Sequence, residues 1–165
     1  MLLAIEARAA LAAILDARGK HAEAEAIYRR VLATFKRVYG PDHYEVAITL
    51  NNLAAVEEAN GRAEEAERLY RRALAIKEQL FGETHPDVAM TLNNLACLLR
   101  ADGRRAEAEQ LYRRALAIFE SALDGQHPKI AICRRNIAAL LRAGRMRKAP
   151  TIRPRARRVK RRRKN

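Results

Sequence analysis

Residues 49–90 read TLNNLAAVEEANGRAEEAERLYRRALAIKEQLFGETHPDVAM, and residues 91–132 read TLNNLACLLRADGRRAEAEQLYRRALAIFESALDGQHPKIAI. Laid over one another without a gap, the two blocks agree at 24 of 42 positions. Self-similarity at a fixed period of roughly 20–50 residues is the signature of a solenoid or array. The frame extends both ways. Residues 7–48 fit it more loosely, with Gly19, Ala24, Tyr28, Leu32, Gly40 and His43 in their columns. Residues 133–143 supply a fourth copy of the first half only.

Each block carries two apolar patterns at helical spacing. Leu50, Leu53, Ala54 and Val56 lie close to one helical stripe; after Gly61, a second stripe runs through Ala66, Leu69, Tyr70, Ala73, Leu74 and Ile76. No Val/Ile/Thr-rich alternation is present, so the chain reads as all-α. Pro86 suits the start of a helix, where its missing N–H has no intrahelical partner. Helices are expected at 2–17, 21–38, 44–59, 63–80, 86–101, 105–122 and 128–142: three antiparallel pairs and one terminal helix. The columns Ala12, Ala54, Ala96, Ala138 and Ala24, Ala66, Ala108 are small where helices must approach closely. One pair cannot bury its own apolar face, so neighbouring pairs must stack. Arg8 and Arg134 occupy the column that holds Leu50 and Leu92, as suits the polar outer face of a terminal repeat.

The pattern Leu53, Ala54, Gly61, Ala66, Tyr70, Ala73 resembles the tetratricopeptide repeat (TPR). The 42-residue period, the Thr-Leu-Asn-Asn-Leu-Ala opening and the Gly-x-x-His-Pro-x-Val-Ala linker are similar to the variant found in kinesin light chains and many bacterial scaffolds. The resemblance covers about residues 3–143. It implies a right-handed α-solenoid whose first helices line a concave peptide-binding groove.

The net charge of +14 misleads as an average. Residues 145–165 hold 12 Lys/Arg and no acid, leaving 21 basic against 19 acidic residues elsewhere. The expected organisation is a near-neutral repeat domain over 1–144 and a basic tail over 145–165. Pro150, Pro154, low hydrophobicity and charge of one sign predict disorder in that tail. Such a segment attracts polyphosphate backbones without sequence preference. No aromatic is interleaved to stack on bases, so the nucleic-acid contact expected of it is weak and non-specific. The truncated fourth copy also leaves open a fragment of a larger TPR regulator.

Enzymatic chemistry has little support. His43, His85 and His127 recur at the period, always in the linker, which marks scaffold residues. No nucleophile–base pattern and no phosphate-binding glycine loop appear. Two cysteines and scattered histidines do not make a metal site, so neither metal nor cofactor is expected. Cys97 and Cys133 lack CxxC spacing and read as reduced thiols of a cytoplasmic protein. No apolar stretch approaches the roughly 20 residues that span a bilayer, so no membrane partner is expected. Glu57 replaces the leucine of Leu15, Leu99 and Leu141; it reads either as a helix edge beside a neighbour's arginines or as a local weakness.

The expected function is therefore a non-enzymatic scaffold for a protein or peptide partner. Asn51, Asn52, Asn93 and Asn94 fall mid-helix, where asparagine competes for backbone hydrogen bonds, and Asn136 continues the column. In the families that the chain resembles, matching asparagines reach across the groove to a peptide backbone; the alternative is a bond to a neighbouring helix. Spacing of three and four residues along the first helices gives further columns. One runs Ala9, Asn51, Asn93, Arg135; another runs Asp16, Glu58, Arg100, Arg142, from acid to base. Arg100, Arg135 and Arg142 are thus candidates to hold acidic residues of a ligand.

Overall fold

The computed structural model describes residues 2–148, with side chains for 3–143. Seven helices follow in order: α1 (Leu2–Ala17), α2 (His21–Tyr39), α3 (Tyr44–Ala59), α4 (Ala63–Phe81), α5 (Pro86–Ala101), α6 (Arg105–Ala122) and α7 (Pro128–Lys148). No strand occurs among the described residues. Two kinds of punctuation produce this series. Within a pair, Gly61 takes φ +77°, a left-handed conformation that costs a residue with a Cβ about 1–2 kcal/mol. Between pairs, His43 and His85 cap α3 and α5: each Nδ1 accepts from the backbone N–H two residues on, at 3.3 and 3.2 Å. His127 Nδ1 accepts from Lys129 N in the same way, at 3.2 Å. His43 also stacks on Tyr39 (4.3 Å between ring centroids) and His85 on Phe81 (4.5 Å). The periodic histidines are scaffold.

Each helix packs on the next along the chain, and α1, α3, α5 and α7 also touch one another in succession. No such contact joins α2, α4 and α6. Helices that meet across the one intervening helix lie on the inside of the curve, so the odd helices form the concave layer. The core runs continuously between the layers. Tyr28, Tyr70 and Tyr112 fill it with Leu53, Leu95, Ile76 and Phe119, and Ala12, Ala54, Ala96, Ala24, Ala66 and Ala108 are wholly buried at the close approaches. Ala138 is exposed on α7.

Glu57 does lie beside a neighbour's arginines, and it is no local weakness. It is fully buried, and it accepts from Arg29 Nη2 at 2.6 Å and from Arg62 Nε. Arg62 also reaches Glu25, and Asn60 Nδ2 donates to Glu25 Oε2 at 3.2 Å, so four charged groups join α2 to α3. One correction concerns α7. It continues six residues past its expected end at 142, through Gly144 to Lys148, across the anticipated 144/145 boundary. A helical glycine costs only about 1 kcal/mol relative to alanine, too little to end a helix. Most of the basic tail lies outside the described residues.

Candidate peptide-binding groove

The asparagines of α3, α5 and α7 bond one odd helix to the next. Asn94 Nδ2 donates to Asn51 Oδ1 at 3.3 Å, and Asn136 Nδ2 donates to Asn93 Oδ1 at 3.0 Å. The amides therefore form rungs between α3, α5 and α7. The neighbouring-helix bond is realised, and it explains why a poor helix former recurs mid-helix: each amide satisfies a polar partner on the next repeat. Asn52 faces the Tyr28 hydroxyl, whose pKa burial raises.

Tyrosines of the even helices reach the next columns from behind. Tyr112 Oη donates to Cys97 Sγ at 3.1 Å, and the Tyr112 carbonyl accepts from Cys133 Sγ at 3.4 Å. Both cysteines are free. Cys97 is half-buried in the groove; Cys133 is buried behind it, and burial pushes its thiol up to about 11. Tyr70 Oη lies 3.5 Å from Glu58 Oε2. Burial raises the Glu58 pKa, against the opposing pull of Tyr70 and Arg100.

The charged columns differ in how they are occupied. Asp16 Oδ1 is 2.8 Å from His21 Nδ1, and Glu58 has its tyrosine. Arg100, Arg135 and Arg142 are exposed and form no ion pair among the described residues. Between α5 and α7 lies an open cleft of about 300 Å³, lined by Met90, Asn93, Asn94, Phe119, Lys129 and Ile132. Asn93, Asn94 and the apolar Met90 and Ile132 thus share one depression.

Phe119 and Lys129 line the cleft without having been singled out by reading the sequence. Phe119 floors the cleft from α6. One repeat earlier its column holds Lys77, which is 4% exposed; its Nζ donates to Thr91 Oγ1 at 3.0 Å and to the Asp87 carbonyl at 3.4 Å. Burial lowers the Lys77 pKa, the Asp87 charge opposes this, and Lys129 adds to it. The signal was available: Phe35, Lys77, Phe119 is a column with one polar intruder, as Leu15, Glu57, Leu99, Leu141 is.

Helix pairs stacked with a laddered concave face and a continuous two-layer core define a right-handed α-solenoid of the TPR class. The tetratricopeptide repeat family model matches residues 4–79, 45–121 and 91–150. The chain belongs to the tetratricopeptide repeat family. No curated protein matches it. Among solved structures it is similar to a kinesin light chain-type protein of Podosopora anserina with nearly identical TPR-like repeats, at TM-score 0.77 and 24% identity over 85% of this chain and 66% of that one. It is likewise similar to BtubC (BKLC) from P. vanneervenii, at TM-score 0.78 and 27% identity over 85% of this chain and 56% of that one. The chain thus spans less than two thirds of either. The Yersinia enterocolitica type III secretion chaperone SycD, solved in complex with a peptide of the translocator YopD, aligns at TM-score 0.64 and 19% identity, over 88% of this chain and 95% of SycD. No described helix is long and apolar enough to cross a membrane.

Proposed function

We propose that the chain is a non-enzymatic protein-interaction scaffold of the cytoplasm that holds a peptide segment along the concave layer, with the segment's acidic residues over the C-terminal half. The observation that carries this reading is the asymmetry of the charged columns. The acids at one end are engaged by His21 and Tyr70, while Arg100, Arg135 and Arg142 at the other are exposed without ion-pair partners among the described residues, Arg100 standing beside the Tyr112 hydroxyl. Arginine pairs carboxylates in bidentate fashion. Complementary fields of this kind set orientation and association rate more than raw affinity. The asparagine rungs leave further capacity. Each side-chain amide carries two donors and an acceptor oxygen, and the rungs use Asn51 and Asn93 only through their oxygens. Their NH2 groups are suited to a peptide carbonyl. SycD, a fold neighbour, was solved with a bound peptide, which supports a peptide ligand as the class.

The test is reversal of Arg100 and Arg142 to Glu, applied to the affinity of a partner first isolated with the intact chain. The expected result is a loss of at least about tenfold, since each hydrogen bond to a charged group contributes roughly 1.5–3 kcal/mol. The circular dichroism of the variant should be unchanged. Unchanged affinity would remove the reading.

A further inference from the structure

The outer layer carries a cleft that the groove does not use. α2 and α4 do not touch one another, and between them, over α3, lies an open cleft of about 430 Å³. Arg29, Lys36, Arg68 and Arg72 line it, Glu65 is the single acid among its lining residues, and its apolar part is all leucine, Leu32 and Leu53 included. Four cations against one acid set this cleft apart from its counterpart. One repeat on, the same columns read Arg71, Glu78, Gln110 and Arg114, with Glu107 in place of Glu65: two cations against two acids.

The column of Lys36 says what is missing. Its later members are Glu78 and Glu120, and each hands a carboxylate to an arginine further along the chain. Arg114 Nη2 donates to Glu78 Oε1 at 2.7 Å, bridging α6 to α4 across the second cleft. Arg134 Nη2 donates to Glu120 Oε1 at 2.7 Å. Lys36 reverses the sign. It is exposed and makes no ion pair among the described residues. Arg72, the counterpart of Arg114, turns instead to Asp42 and spends one Nη2 donor there. Arg29 is held by Glu25 and Glu57, and Arg68 by Glu65. The Arg68 and Arg72 side chains are 70% and 49% exposed, and exposed pairs of this kind are weak enough to exchange partners.

We propose that the cleft between α2 and α4 docks an acidic, aliphatic segment of a partner protein. A carboxylate of that segment stands between Lys36 and Arg72, where Glu78 stands one repeat on, and an aliphatic side chain rests on the leucines. Charge complementarity selects this occupant. Residues 149–165 of the chain contain no acid and cannot supply the carboxylate. The site lies in the outer layer, away from the concave groove.

The probe is the peptide acetyl-Ser-Glu-Leu-Leu-Glu-Ser-amide, titrated at low salt into the full chain with labelled leucine methyl groups. Saturable NMR shifts at Leu32 and Leu53 are expected, and the counterpart with Gln for both Glu should bind about fivefold or more weakly. Lys36→Glu with Arg68→Gln gives the cleft the residues of the next repeat at two exposed positions, and should weaken binding by about tenfold or more. A second readout needs no probe. Lys36→Glu alone should raise Tm by about 1–3 °C, and Arg72→Ala in that background should remove the gain. Absence of saturable shifts at Leu32 and Leu53, equal binding of the Gln peptide, or a Tm unmoved by Lys36→Glu overturns the proposal. So does loss of the shifts in the Arg100→Glu, Arg142→Glu chain, which would place the peptide in the groove. Tighter binding of a phosphoserine counterpart, by about tenfold or more, would make the ligand a phosphorylated segment and overturn the carboxylate assignment. Concentration-dependent shifts at Leu32 and Leu53 in the free chain would assign the cleft to a second copy and equally overturn it.

Discussion

Glu57 buries a carboxylate where the repeat otherwise buries a leucine, and it is tolerated because two arginines meet it. Removing a buried charge together with its need for partners is often neutral or stabilising, whereas removing the partners alone leaves the charge stranded. Glu57→Leu is therefore expected to change stability by about 0 to +2 kcal/mol in the stabilising direction, measured by urea denaturation. Arg29→Ala combined with Arg62→Ala should lower Tm by roughly 5 °C, and Glu57→Leu should rescue most of that loss. Equal destabilisation by Glu57→Leu and by the arginine pair would contradict this account. Lys77 is the mirror case: a buried ammonium with two neutral acceptors. Lys77→Met keeps the volume and removes the desolvation, and is expected to gain about 1 kcal/mol by the same assay. Both intruders were visible in the sequence as column breaks. Their consequences were not, because the partners lie on other elements; Arg29 is 28 residues from Glu57.

The elements are held by devices that repeat with the sequence. The histidine caps are the clearest, and His85→Ala should cost about 1 kcal/mol through loss of the cap, alongside loss of the Phe81 stack. On the outer side, the arginine after each glycine turn bridges to a glutamate of the preceding even helix: Arg62 to Glu25, and Arg104 to Glu67 at 2.7 Å. Burial works to raise the Glu25 and Glu67 pKa values, but the arginine hydrogen bonds overcome it and hold both below the ordinary carboxylate value of 4.5. A carboxyl whose folded pKa is depressed stabilises the fold above its unfolded pKa and loses that contribution as pH falls through the folded one. The Tm of the native chain should accordingly fall below about pH 4, and a Glu25→Gln, Glu67→Gln chain should start lower at pH 7 and fall less steeply. Parallel acid limbs would rule this out. Helix positions were legible within a residue for six of the seven elements, because glycine, histidine and proline punctuate each repeat. The end of α7 was not. There Gly144 has no repeat partner to fix its conformation, and a single glycine does not outweigh the propensity of the residues around it.

At the scale of the whole molecule, the contact asymmetry between odd and even helices gives the chain an inside, and the inside carries the candidate site. Its columns were readable from spacing alone; the rungs joining Asn51 to Asn94 and Asn93 to Asn136 were not, since they depend on how far one repeat turns relative to the next. Cys97 offers a reporter placed in that surface. It is half-buried between the asparagine rungs and the arginine column, while Cys133 is fully buried with a thiol held near 11, so an alkylating reagent at neutral pH should modify Cys97 first and Cys133 only on unfolding. The most direct measurement of the groove proposal is the rate of Cys97 alkylation in the native chain, with and without a saturating acidic partner peptide. The account predicts that the peptide slows Cys97 modification by about tenfold or more and that the Arg100→Glu, Arg142→Glu chain loses the protection. Modification of Cys97 at the same rate with the peptide bound would contradict it.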